Sequence, residues 1–424
     1  MAEKSLAERD QALIWHPYTQ MQNAAAPIPI IRGEGVFLYA EDGKKYLDAI
    51  SSWWVNIHGH SHPYIAKKVS EQLNRLEHVI FAGFTHPGAV ELAERLINIL
   101  PNNQAKVFYS DNGSTAVEVA LKMCFQFWSN QGMEKTKVLA FNNSYHGDTF
   151  GAMAVSARSA FTRPFDKLLF EVEFIDLPNH DNIEQLKKQI SSLKTDLSVF
   201  IFEPLVQGAG GMQMYEAQHL DELIKHCRKE NILTIADEVM TGFGRTGRLF
   251  ASNYLIEKSD LMCFSKGLTG GTMALGITTC SKAIYDAFLS DDKLKTLFHG
   301  HSFTANPIAC ASALASMDLL LEPETEQNLH RIEMKHKDFA AKIISHKKVK
   351  CIRQTGTILA LEWETFAETS YFNSLRDNLY NFFLDQGIIL RPLGNIIYIM
   401  PPYCIKNEDL DYIYTKIEEA LERF

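Results

Sequence analysis

Ile232-Leu233-Thr234-Ile235-Ala236-Asp237-Glu238 is an apolar run that ends on two carboxylates, and Leu261-Met262-Cys263-Phe264-Ser265-Lys266 is a second that ends on an amine. Short unbroken apolar runs of this kind read as strands buried on both faces, as a sheet between helix layers requires. Three more have the same form, over 106–110, 137–141 and 197–202. Helical patterns lie between them. The clearest begins at Ser114, where Val117, Ala120, Leu121, Cys124, Phe125 and Trp128 recur at three- and four-residue steps and form one buried stripe. Others are predicted over 216–229, 305–321, 328–344 and 408–419. Strand and helix in alternation predict an α/β fold with a mostly parallel sheet and right-handed crossovers.

After about residue 320 the pattern changes to a long polar helix, short strands near 358–362 and 396–400, and a closing helix. The predicted organisation is an N-terminal segment, 1–55, that joins a smaller domain; a large α/β domain, 56–320; and a small α+β domain, 321–424. The 424 residues suffice for two or three such units.

Composition narrows the partners. A net charge of −9 disfavours non-specific attraction to nucleic-acid phosphates or anionic lipid. No stretch approaches the roughly 18 apolar residues of a membrane span, and the polar opening Met1 to Asp10 lacks a signal-peptide core, so a cytoplasmic location is expected. Seven scattered cysteines with no C-x-x-C pair read as reduced packing residues.

Ligands of open α/β sheets collect at the carboxyl ends of the strands. There stand Asp237 and Glu238, Ser265 and Lys266, Asp111-Asn112-Gly113-Ser114, Glu203, and Asn142-Asn143-Ser144-Tyr145-His146-Gly147. Gly113 and Ser114 open a helix whose free N–H groups suit a phosphate. A lysine in an apolar setting tends to a lowered pKa and reacts with an aldehyde. A carboxylate holds a ring nitrogen protonated, and a tyrosine covers a ring face. Pyridoxal phosphate presents those four groups together. Singly, a strand-end Asp is more often a helix cap, and Gly113-Ser114 a simple turn.

The stretch from Ala236 to Gly247, followed by Asp260 and Ser265-Lys266-Gly267-Leu268-Thr269-Gly270-Gly271, resembles the signature of the class III (ω-type) aminotransferases, fold-type-I pyridoxal-phosphate enzymes. The resemblance implies a mostly parallel sheet between helix layers with a smaller α+β domain. It implies that Lys266 is the covalent anchor and catalytic proton carrier, and that Asp237 faces the pyridine nitrogen. It places Gly113 and Ser114 on the phosphate, and Tyr145 over the ring. Four other segments, 15–21, 51–60, 145–151 and 391–403, resemble the biotin-pathway branch of the group, which aminates 7-keto-8-aminopelargonate with S-adenosylmethionine as conventional donor. By that resemblance Tyr18, Trp53, Tyr145, Lys266 and Gly300 line the substrate pocket, Arg391 receives the keto substrate's carboxylate, and Tyr398 is its neighbour. Ser302 is implied to reach the phosphate across a homodimer interface, so two shared sites are expected. It stands where the group commonly has Thr and retains the hydroxyl. His301 stands near a position where proteins closest to the S-adenosylmethionine users often have Pro, which leaves lysine open as an alternative donor.

Three other readings compete, one of which, a pyridoxal-phosphate fold retained as a binding or regulatory module without turnover, is opposed by the presence of both Asp237 and Lys266. Gly242-Phe243-Gly244-Arg245-Thr246-Gly247 fits the dinucleotide pattern G-x-G-x-x-G and would imply a nicotinamide- or flavin-dependent oxidoreductase, but no strong helix follows it. His58, His60 and His62 suggest a metal hydrolase; without a clear carboxylate partner or i, i+4 spacing, a structural role is expected and no metal.

Overall fold

The computed structural model describes residues 4–365, 369, 371 and 373–424. Met1, Ala2 and Glu3, which open the polar N-terminal stretch, lie outside the described residues. Seven strands form the central sheet: β1 (Gln104–Ser110), β2 (Lys137–Phe141), β3 (Val172–Ile175), β4 (Leu197–Phe202), β5 (Leu233–Asp237), β6 (Leu261–Phe264) and β7 (Gly276–Ser281). Their order is β1-β7-β6-β5-β4-β2-β3. All pairings are parallel except those of β7, which runs antiparallel to both β6 and β1.

The expected strands form because their apolar runs are buried on both faces; every residue of β4 is buried. β7 escaped the sequence reading because two central residues, Thr278 and Thr279, are polar. Burial is possible because Thr278 Oγ1 donates to the Ala116 carbonyl at 2.7 Å and Thr279 Oγ1 to Gln104 Oε1 at 2.7 Å.

The helix Gly113–Asn130 lies over this sheet. Its start is fixed by a reciprocal cap: Thr115 N–H donates to Asn112 Oδ1 at 3.0 Å, and Asn112 N–H to Thr115 Oγ1 at 2.9 Å. Val117, Ala120, Leu121, Cys124 and Trp128 are buried along the predicted stripe, and Trp128 Nε1 donates to the Ser198 carbonyl. Burying such a row contributes about 1.5–3 kcal/mol per large side chain, so packing rather than intrinsic propensity holds the helix in place. A Pro at the first helical position, Pro307, and a capping Asn306 start the Pro307–Leu320 helix.

Beyond residue 320 come the long helix Pro323–Ile343, a three-stranded sheet (Val349–Thr355, Ile358–Trp363, Ile396–Ile399) and the closing helix Asn407–Arg423. The N-terminal strands Ile30–Glu34, Phe37–Ala40 and Lys45–Asp48 form a further sheet, completed by Ile388–Ile389 pairing in parallel with Lys45–Asp48. Among the described residues, no helix is long and apolar enough to cross a membrane, and all seven cysteines are free, five of them buried.

Candidate active site

The carboxyl ends of the parallel strands surround a cavity of about 420 Å³. Asp237 closes β5, Lys266 stands two residues beyond β6, Tyr145 follows β2, Glu203 follows β4, and Gly113 with Ser114 follows β1; all line the cavity. Residues far apart in sequence meet here because parallel strands release their chains at the same sheet edge.

Lys266 is half-buried, and its Nζ lies 4.7 Å from the centre of the Trp54 ring. Burial pushes its amine down to about 8, against the pull of the Asp237 and Glu203 carboxylates. About a tenth of such an amine is therefore uncharged at pH 7, a far larger share than an ordinary lysine offers as nucleophile and proton acceptor. Asp237 is also buried. Its Oδ1 accepts from the Val239 N–H at 3.0 Å, and its Oδ2 lies 2.7 Å from His146 Nδ1. His146 Nε2 is buried without a hydrogen-bond partner. Glu203 takes the Tyr145 N–H on one oxygen and the Gly208 N–H on the other, and burial pushes its carboxyl up to about 7.

Beside these residues, Gly113 and Ser114 belong to a first helical turn, whose N–H groups have no intrahelical acceptor. A side chain at position 113 would not fit: a Cβ there would lie 2.7 Å from Val239 Cγ1. The turn that offers its amides to the cavity thus packs directly on the segment following Asp237.

Next to Tyr145 and Trp54 lies an aromatic and cationic cluster. Tyr18 donates to the Asp148 carboxylate and lies 3.4 Å from the Tyr145 hydroxyl; burial, helped by Asp148, pushes it up to about 12. Trp53 packs against Tyr18 with ring centres 5.7 Å apart, and the Arg391 guanidinium lies 4.5 Å from the Trp53 ring centre. Tyr398 is buried below, accepting from Trp54 Nε1 at 2.9 Å. Tyr18, Trp53, Arg391, Tyr398, Gly300 and Ser302 are not among the residues that line this chain's cavity; Tyr18 and Tyr398 adjoin it through the lining residues Tyr145 and Trp54.

These residues fit pyridoxal phosphate on their chemistry: a depressed lysine amine, a buried carboxylate with a buried histidine behind it, open first-turn amides and an aromatic. The G-x-G-x-x-G segment does not fit a dinucleotide. It is a turn followed only by a short 3-10 segment, Ala251–Tyr254, and its Arg245 is buried, donating to the Pro401 and Trp54 carbonyls. His58 lies 3.0 Å from Ser316 Oγ, and His60 has a carboxylate neighbour that the sequence reading did not see, Asp48 at 2.9 Å. Among the described residues no cluster of three or more His, Cys, Asp and Glu is placed to hold a metal ion.

The family model for aminotransferase class III matches residues 18–421. The chain belongs to the class III aminotransferases. Among curated members of this family, the adenosylmethionine-8-amino-7-oxononanoate aminotransferase of Synechococcus elongatus is 44% identical, covering 96% of this chain and 98% of its own. The protein of that name from Geobacter sulfurreducens is 38% identical, covering 99% and 97%. Among class III structures, that of the enzyme of the same name from Methanocaldococcus jannaschii superposes with a TM-score of 0.94 at 32% identity, covering 99% of this chain and 98% of the other. An omega transaminase from Pseudomonas jessenii, in complex with PMP, gives 0.93 at 27% identity, with the same coverage. The α/β class expected from the sequence, fold type I, is therefore the fold of this aminotransferase.

Trp54, His146 and Glu203 were given no role by the sequence reading. Glu203 and His146 carried the signal that found Asp237, a polar residue just beyond a buried strand. Trp54 carried none, because the turn that sends it and Trp53 to different walls has no regular period.

Proposed function

We propose that this chain transfers an amino group to 7-keto-8-aminopelargonate (8-amino-7-oxononanoate) to give 7,8-diaminopelargonate for biotin synthesis, with pyridoxal phosphate as cofactor and S-adenosylmethionine as donor. The observation that carries this reading is the joint placement of Lys266 and Asp237 in one cavity, with Arg391 against Trp53 next to it, joined to the lining residue Tyr145 through Tyr18. Near full-length similarity to enzymes named for those two substrates supports it.

Bound pyridoxal phosphate supplies an electron sink for the pair released when a C–H bond beside nitrogen is broken. Gly113 and Ser114 would hold its phosphate, Asp237 its ring nitrogen as the protonated form, and Tyr145 one ring face. Lys266 Nζ would hold its aldehyde carbon, and its amine would serve as the base and acid that carries the proton beside the transferred nitrogen. Asp237 can keep a proton on its partner because its charge is buried, with His146 and the Val239 N–H securing its position. Arg391 would bind the carboxylate of the keto acid, while Trp53 and Tyr18 cover its aliphatic chain and attract a sulfonium.

The same reading places Gly300 and Ser302 at the second site of a homodimer. Phe298 and Phe303, which flank them, are exposed in the single chain, as residues awaiting a partner surface would be. It also places the protein in the cytoplasm, and divides it into the large domain over 56–320 and a small domain built from 321–424 with the segment 1–55. Offering S-adenosylmethionine and L-lysine separately to the cofactor-loaded protein tests the donor. The first should bleach the visible absorption band, and 8-amino-7-oxononanoate should restore it. Bleaching by lysine alone would transfer the donor role to lysine, and no bleaching by either would overturn the reading.

A further inference from the structure

The turn that carries both indoles of the site is strained. Ser51, Ser52 and Trp54 have φ of 52°, 59° and 67°, a left-handed region that side-chain-bearing residues rarely enter. Such a run persists only where its surroundings over-determine it. The Ser51 hydroxyl donates to the Met400 carbonyl at 2.8 Å and Trp54 is held by Tyr398 and Arg245, while one buried carboxylate restrains the backbone between them. Asp48 Oδ1 accepts from the Ile50 N–H at 3.1 Å, and Asp48 Oδ2 from the Ser52 N–H at 2.7 Å and the Ser52 hydroxyl at 3.3 Å. The same Oδ2 accepts from His60 Nε2 at 2.9 Å.

His60 is itself fixed on two sides. Its backbone exchanges two hydrogen bonds with Gly35, at 2.7 and 3.2 Å. Its Nδ1 accepts from Asn56 Nδ2 at 3.1 Å, which leaves Nε2 to carry the proton donated to Asp48. Asn56 belongs to the backbone against which the lysine segment rests: a Cβ on Gly271 would fall 2.9 Å from the Val55 carbonyl carbon and 3.0 Å from Asn56 N.

We propose that Asp48 and His60 are positioning residues for the transamination, a clamp that holds the Ser51–Trp54 turn so that Trp53 meets Arg391 while Trp54 meets Lys266. One turn thereby sets the distance between the carboxylate-binding end of the site and the reacting amine. His60, for which the sequence suggested a structural role rather than metal binding, acts through Asp48. The inference rests on the transaminase reading for its kinetic consequence, but the geometry of the two indoles is independent of that reading.

The test uses the cofactor-loaded protein labelled with 5-fluorotryptophan, its Trp53 and Trp54 fluorine resonances assigned by the Trp53→Phe and Trp54→Phe variants. His60→Leu removes the donor to Asp48; His60→Gln keeps an amide donor. His60→Leu should move the Trp53 and Trp54 resonances, leave the other three of the five tryptophans in place, and raise the KM for the keto substrate about tenfold or more with a smaller effect on kcat. His60→Gln should restore both readouts. Should His60→Leu fail to fold, Asp48→Asn, which keeps the shape but turns an acceptor into a donor, is expected to give the same two shifts. Unmoved Trp53 and Trp54 resonances in the variants overturn the clamp, as does a common shift of all five. A wild-type protein that does not turn over the keto substrate overturns the functional reading, while the two resonances still decide the clamp.

Discussion

His146 Nδ1 lies 2.7 Å from Asp237 Oδ2, with both side chains buried, so the carboxylate assigned to the cofactor's ring nitrogen is held from behind by an imidazole. A carboxylate free to turn would lose its alignment and its charge-stabilising role; this one also receives the Val239 N–H.

Asp237→Asn keeps the shape and removes the charge. Leaving one member of a buried charge pair without its partner costs about 3–5 kcal/mol. Cofactor affinity, measured by equilibrium dialysis, and the half-reaction rate are expected to fall together. An unchanged dissociation constant and rate would place Asp237 outside the cofactor site.

Lys266 makes the stability of the cofactor-free protein depend on pH. Its folded value, about 8, lies below the ordinary 10.5, so between these values the unfolded chain binds more protons than the folded one. Stability from this group is therefore present above about 10.5 and lost as pH falls through about 8, a difference of about 3 kcal/mol. Glu203 titrates below this window: its folded value of about 7 is raised, so its contribution is present below 4.5 and lost as pH rises through 7. Urea denaturation of wild type and Lys266→Met at pH 7.5 and pH 10, values chosen to bracket most of that range, isolates the lysine. The wild type should gain stability relative to the variant at the higher pH. Equal differences at the two pH values would show that the amine is not held in an apolar setting.

Arg391→Ala removes the guanidinium from the Trp53 face. The KM for the keto substrate is expected to rise by the equivalent of about 2–5 kcal/mol, the cost of truncating one partner of a buried charge pair. The half-reaction with the amino donor alone should change much less. Steady-state and single-turnover kinetics separate the two, and an effect confined to the donor half would remove Arg391 from the carboxylate site.

Gly113→Ala adds a methyl group 2.7 Å from Val239 Cγ1. Inserting one carbon into a filled space costs about 1–3 kcal/mol, and here the displaced elements are the first helical turn and the strand end bearing Asp237. Cofactor affinity is expected to fall while the circular dichroism spectrum stays that of the wild type. Full retention of affinity would indicate that the phosphate is held elsewhere.

The buried parallel strands and the helix Gly113–Asn130 were legible in the sequence because burial on both faces, or along one stripe, leaves an unmistakable residue pattern. β7 was not legible, since Thr278 and Thr279 become compatible with burial only through acceptors on distant segments, Ala116 and Gln104. The site divides in the same way. Lys266, Asp237, Gly113, Ser114 and Tyr145 follow strands, and one cavity collects them. Trp54 and the Asp48–His60 pair could not be read, because a run of positive φ angles at Ser51, Ser52 and Trp54 is a consequence of tertiary restraint and has no local signature.

Borohydride reduction of the cofactor-loaded protein, followed by peptide mass spectrometry, asks most directly whether position 266 anchors the cofactor. A phosphopyridoxyl group on Lys266 and on no other residue is the predicted result. Label on a different lysine, or a cofactor released unattached after reduction, would contradict it.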